Sequence, residues 1–221
     1  MTFSILVKDP ETGALGGAAA TGSYCVGGWV LRGTLDGGMS ASQGASPSTF
    51  WGEDTLKLMA GGANAQWAVD RVTNADTGRA FRQLAALDVA GNTGIYSGAQ
   101  NTPAIDSKTF PNGIAAGNML STKGVIKKMV QGYESATGTF GERLLASLRS
   151  AEKAGSDRRG LFSAALLILH PDHAPLTLRI DYHPNDPIGA LAELFEKTRT
   201  GEYAQWSRQV PTQNEPERVL D

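Results

Sequence analysis

The stretch Met1–Gly22, MTFSILVKDPETGALGGAAATG, decides the fold. Phe3, Ile5 and Val7 alternate with Ser4, Leu6 and Lys8, a period of two that predicts a strand with one well-buried face. Residues 9–13, DPETG, read as a turn, with Pro10 preset for the corner and Gly13 able to take a positive φ. ALGGAAATG then returns as a second strand, and its small residues let neighbouring layers approach closely. The chain therefore opens on a β-hairpin. A threonine stands directly before the first strand. An initiator methionine followed by a small residue is expected to be trimmed, which would leave Thr2 with a hydroxyl and a free α-amine on one residue. The α-amine has an unperturbed pKa near ~8. It can take the hydroxyl proton at neutral pH, so such a nucleophile carries its own base.

Two further hairpins follow from the same pattern. RQLAALDVAGNTGIYSG (82–98) turns at AGNTG, and LFSAALLILHPDHAPLTLRIDYH (161–183) is expected to turn at Pro171 to Pro175. Helices are predicted at EDTLKLMAGG (53–62), at NAQWAVDRV (64–72) with Asn64 as N-cap, and at TKGVIKKMVQGYES (122–135). In TFGERLLASLRSAEKAG (139–155) Thr139 and Glu142 have capping-box spacing, and Gly155 marks the end. DPIGALAELFEKT (186–198) has Asp186 as N-cap and Pro187 at its first position. Antiparallel hairpins with consecutive helix pairs imply an α+β layering and argue against a doubly wound parallel sheet. Two sheets with helices on the outer faces satisfy that order. With no repeat or low-complexity linker, residues 1–200 are expected to form a single domain, followed by a polar C-terminal arm at 201–221 that Tyr203 and Trp206 can pin to the body.

The composition narrows the function classes. The chain has 221 residues, 41% of them hydrophobic, enough for a substantial core. Lys+Arg 20 against Asp+Glu 22 gives a formal net charge of −2. That balance supplies no general attraction to nucleic acid or to an anionic membrane, and neither is expected as a partner. The longest apolar run, AALLIL, falls far short of the ~20 residues of a membrane helix. Lys8, Asp9 and Pro10 interrupt the start before a secretory signal can build. The lone Cys25 excludes an internal disulfide framework and suits a reducing compartment, so a cytoplasmic protein is expected.

Several local constellations carry chemistry, each beside a plainer alternative. HPDHAP and RIDYH supply His170, Asp172, His173, Asp181 and His183. A hairpin between them sets His183 roughly 20 Å from His170, too far for one closed metal site. The glycine pairs form no phosphate-binding motif, SQGASPS (42–48) reads as a flexible loop, and there is no G-x-S-x-G elbow. In AAGNML, Asn118 can present an amide to an oxyanion or simply make a turn. In GSDRRG, Asp157 and Arg158 can orient a nucleophile or bind a carboxylate, or form a structural ion pair.

Taken in order, TFSILVKDPETGALGGAAA, ASQGASPSTFWG, GNML, GSDRRGLFSAALLIL and RIDYHPNDPIGALAELF are similar to bacterial proteins catalogued as a domain of unknown function. Those proteins are grouped with the N-terminal-nucleophile (Ntn) hydrolase superfamily. The resemblance spans nearly the whole chain up to the last helix. It implies a four-layer αββα sandwich of two stacked antiparallel sheets, no dedicated cofactor, and attack by the first mature residue, here Thr2, on an amide carbonyl. The resemblance carries over no further residue; the chemistry such a nucleophile needs assigns the remaining roles as expectations, an oxyanion donor from Asn118 or a backbone amide, charge tuning of the amine by Asp157 and Arg158, and a grip on substrate by Gln43. The expected substrate is a small polar amide, and a homodimer is expected because compact proteins of this kind often self-associate. A non-catalytic small-molecule or protein-binding module on the same fold is the main alternative, since fold does not determine function. A metal protein using His170 and His173 is a third.

Overall fold

In a computed structural model that describes residues 1–155 and 160–220, the opening hairpin forms as β1 (Thr2–Lys8) and β2 (Leu15–Thr21). These are the two central strands of a six-stranded antiparallel sheet. Its other members are β7 (Asp106–Phe110), β8 (Gly113–Asn118), β9 (Ser163–His170) and β10 (His173–Ile180), in the order β10-β9-β2-β1-β8-β7. A second, four-stranded antiparallel sheet runs in chain order through β3 (Leu31–Thr34), β4 (Gly38–Gly44), β5 (Arg82–Leu87) and β6 (Thr93–Ser97). The two sheets stack.

Seven α-helices occur among the described residues. A single turn, α1 (Val26–Trp29), follows β2. The outer face of the four-stranded sheet is covered by α2 (Thr49–Ala60) and α3 (Ala65–Asn74), whose Trp51, Met59, Ala68 and Val69 pack on Leu84 and Ala86. On the far side of the larger sheet lie α4 (Val125–Ser135), α5 (Phe140–Lys153) and α6 (Pro187–Thr198). The chain closes with α7 (Gly201–Ser207). No helix among the described residues is long and apolar enough to cross a membrane.

β1 has two buried faces rather than the one its alternation suggests. Phe3, Ile5 and Val7 pack against Ile126, Met129, Leu144 and Leu148 of the helices. Leu6 joins Leu15, Met39, Leu87, Ile114 and Leu167 between the sheets, and Ser4 is buried on that same inner side. Full burial of Phe3, Ile5 and Leu6 contributes about 1.5 to 3 kcal/mol each, so the hairpin anchors both cores.

The three expected hairpins form, and so do two that the pattern did not reveal, β3–β4 and β7–β8. The stretch read as a flexible loop is one casualty: Ser42, Gln43 and Gly44 lie in β4, in register with Leu84, Gln83 and Arg82 of β5. Their polarity is used inward, because Ser40, Ser42 and Gln43 are all buried. Similarly, α2 starts at Thr49 rather than Glu53, which buries Trp51 and Gly52. The β9–β10 turn is tighter than expected. β10 resumes at His173, and Pro175 falls where its register shifts, which an edge strand tolerates. In the tail, Asn214 donates through its backbone N–H to the Pro171 carbonyl (3.0 Å) and through Nδ2 to Asp172 (2.7 Å).

Candidate functional site

Register brings a polar row together at one end of the six-stranded sheet. Asn118 on β8 stands opposite Thr2 on β1, Thr2 opposite Thr21 on β2, and Thr21 opposite Ser163 on β9. All four are buried, with Thr2 8% and Asn118 0% exposed. Thr21 donates its single hydroxyl hydrogen to the Met1 carbonyl (2.7 Å). The 3.0 Å contact between the two threonine hydroxyls must then be donated by Thr2 to Thr21. Ser163 accepts from the Val26 N–H (3.1 Å) and spends its one hydroxyl hydrogen on the Ser23 carbonyl (2.8 Å).

The facing sheet meets this row with a chain of amides. One residue in from Thr2 on the same face, Ser4 donates to Gln43 Oε1 (3.0 Å). Gln43 Nε2 donates to Gln83 Oε1 (2.7 Å), and Gln83 Nε2 donates to the Asp106 carbonyl (3.3 Å) and Ser97 Oγ (2.9 Å). A carbonyl can only accept, so Asp106 sets the orientation of Gln83, and Gln83 sets that of its partners. Asn118 must accordingly turn Nδ2 toward Gln83 Oε1, at a long 3.5 Å. Its Oδ1 is left buried with no partner. An orphaned buried acceptor costs about 1 to 3 kcal/mol, so it calls for a donor.

Thr2 and Thr21 open on a cleft of about 570 Å³. Tyr24, Val26, Trp29, Val30, Pro47 and Met119 wall it, and Gln43 reaches it from the facing sheet. Met119 takes a positive φ of 51°, which turns the chain out of β8 immediately after Asn118. Tyr24 extends the rim outward in a three-ring cluster, edge-on to Tyr182 at 5.3 Å and 6.1 Å from Phe162.

Of the residues singled out by sequence, Thr2, Asn118 and Gln43 are gathered here. Asp157 and Arg158 lie outside the described residues. Thr21, Ser4, Gln83 and Ser163 belong to the same constellation and were not singled out. A polar residue at each strand end was their only local signal, and strand pairing supplies the rest. His170 and His173 are at the opposite end of β9, in register and stacked at 4.7 Å, beside a separate cavity of about 480 Å³. His170 Nδ1 accepts from the Asp172 N–H (3.0 Å), and its Nε2 is then the donor to the Thr12 carbonyl (3.2 Å). Both ring nitrogens are engaged. Among the described residues no group of three His, Cys, Asp or Glu side chains is placed to hold a metal. The titrating group most shifted by burial, Tyr133 on α4, whose phenol is pushed up to about 12, belongs to the helix side of the sheet.

No curated protein matches this sequence. Among solved structures, the crystal structure of protein SPO2555 from Silicibacter pomeroyi, described as DUF1028, is 57% identical in sequence. The two superpose with a TM-score of 0.96 over 100% of this chain and 99% of that one. A family model, described as the family of unknown function DUF1028, matches residues 2–191. By that match over most of its length, the chain belongs to the DUF1028 family.

Proposed function

We propose that the protein is an amidohydrolase of the N-terminal-nucleophile type, in which Thr2, freed by loss of Met1, attacks an amide carbonyl. The observation that carries this reading is the setting of the Thr2 hydroxyl. It is buried at the end of a central strand, hydrogen-bonded to Thr21, and faces a cleft large enough for a small ligand. Two stacked antiparallel sheets with helices outside agree with the αββα sandwich of that superfamily.

Removing Met1 would change the hydrogen bonds in a specific way. The carbonyl that now takes the Thr21 hydrogen belongs to Met1 and would leave with it. Thr21 could then donate toward Thr2, and Thr2 would be released to give its proton to its own α-amine. The oxygen adds to the substrate carbonyl, the ammonium returns the proton to the departing amine, and the resulting ester on Thr2 is hydrolysed by water. Asn118 takes a role different from the one expected of it. Gln83 orients its amide so that the free atom is the acceptor Oδ1. It is therefore suited to hold the new α-amine, and a backbone N–H is left to stabilise the oxyanion.

The test is intact mass and N-terminal sequencing of untagged protein from its native host, followed by treatment with a β-lactone electrophile. The expected result is a chain beginning at Thr2, one covalent adduct on that residue, and loss of labelling in Thr2→Ala. A chain that retains Met1 would remove the base and overturn the reading. The non-catalytic module would then stand, favoured by the burial of Met1 (4% exposed) and by the hold of Thr21 and Gly22 on its carbonyl.

A further inference from the structure

We propose a second ligand site, for a small carboxylate with an aromatic or aliphatic body, in the cavity of about 480 Å³ that His170 and His173 border. It lies at the far end of β9 from the Thr2 row and does not depend on the reading of Thr2 as nucleophile. Its volume is that of a small-molecule pocket. Ile168 of β9 and Leu176 of β10 line it from the sheet, Phe140 of α5 and Phe195 of α6 from the helices. The rim comes from α7. Of that helix only Ala204 is buried; Tyr203 and Trp206, which the sequence offers as pins for the arm, are each 49% exposed, and Tyr203 borders the cavity. A phenyl or branched alkyl group entering here would exchange water for these side chains.

The polar groups of the lining are mostly committed. Arg199 is spent on carboxylates, Glu142 at 3.2 Å and Glu196 at 2.9 Å. The hydroxyls of Thr139, Thr198 and Ser207 give their hydrogens to Glu142 and to the Phe195 and Ala204 carbonyls, and both ring nitrogens of His170 are engaged. Arg208 is different. Its guanidinium makes no hydrogen bond or ion pair among the described residues, while its carbonyl accepts from Arg218 Nη1 (2.8 Å), which holds the backbone it reaches from. No acidic side chain lines the cavity among the described residues. Asp172, on the β9–β10 turn, stands outside the lining and accepts from Asn214 Nδ2 (2.7 Å). An arginine with its N–H groups unspent takes a carboxylate through two parallel hydrogen bonds, and the apolar walls take the rest of the molecule.

The experiment titrates hydrocinnamate, and separately its neutral amide, into the full-length chain and follows the imidazole resonances of its three histidines by NMR. His170 and His173 border the cavity, whereas His183 follows Tyr182 of the aromatic cluster beside the Thr2 cleft and reports binding there. Shifts at His170 and His173 that saturate with hydrocinnamate are expected. The amide is expected to bind at least ~10-fold more weakly, because it forfeits the charged pair with Arg208. Arg208 is exposed, so the fold does not rest on it. Arg208→Gln should weaken hydrocinnamate by a similar factor and bring acid and amide level, and Thr2→Ala should leave both affinities as they are. The proposal is overturned by shifts at His183 alone, by no saturable shift, by an amide that binds as tightly as the acid, by an affinity unmoved in Arg208→Gln, or by one that falls in Thr2→Ala.

Discussion

Gln83 meets four partners at once, giving hydrogen bonds to Ser97 and the Asp106 carbonyl and accepting them from Gln43 and Asn118. Its side chain joins the two sheets beside Thr2. Gln83→Leu would leave the buried Gln43 amide short of an acceptor and free Asn118 to turn. A loss of about 1 to 3 kcal/mol for each buried group left unpaired is expected in urea unfolding. A change within a few tenths of a kcal/mol would show that water takes over those bonds. At this scale the sequence speaks unevenly. Thr2 is conspicuous because of where it stands in the chain, and Asn118 because it follows a glycine. Gln83 opens an ordinary strand, RQLAAL, and nothing in its neighbours distinguishes it from a surface glutamine.

The helix starts show what short-range chemistry can settle. Thr139 and Glu142 close the N-terminus of α5 as their spacing predicts, with the Thr139 N–H and hydroxyl each donating to the carboxylate at 2.6 Å. These bonds, with Arg199 at 3.2 Å, pull the Glu142 carboxyl down to about 2. A carboxyl depressed in the folded state stabilises it above the unfolded pKa, and that contribution is lost as pH falls through the folded one. Between pH 4.5 and about 2, therefore, Glu142→Gln should lose less stability on acidification than the unsubstituted chain. Thermal melts at stepped pH check this, and parallel curves would show no coupling. Asn64 and Asp186 cap α3 and α6 in the same local way, accepting from Trp67 N (2.9 Å) and Gly189 N (2.7 Å). β4 and β8 were harder to see. GMSASQG and GIAAGN present small and polar residues to a core that has little room, so neither shows the apolar alternation by which strands are recognised.

Layer spacing belongs to the whole molecule. On β2, a Cβ added at Gly16 would lie 2.5 Å from the Phe140 ring of α5, so that helix sits directly on the sheet backbone. On β6, a Cβ at Gly94 would meet the Ala65 carbonyl oxygen at 2.5 Å and its carbon at 2.6 Å, at the start of α3. Backbone cannot step aside as a side-chain end can. Gly94→Ala is expected to cost about 1 to 3 kcal/mol by lifting α3 from the sheet, read in chemical denaturation. An unchanged midpoint would mean that α3 is not held at this distance.

Adjacent residues were enough to determine the opening hairpin, the caps of three helices, the α+β order and the position of Thr2 at the head of a strand, which it joins as the first residue of β1. Each depends on neighbours a few bonds away, where periodicity and capping chemistry act directly. Only the tertiary structure decided that Thr2, Thr21, Asn118 and Ser163 form one row, that Gln43 and Gln83 face it, and that Thr2 and Thr21 open on a cleft walled by Val26, Val30, Pro47 and Met119. Those facts depend on strand register and on how two sheets stack, contacts such as that between Thr21 and Ser163, 142 positions apart, that no local pattern records.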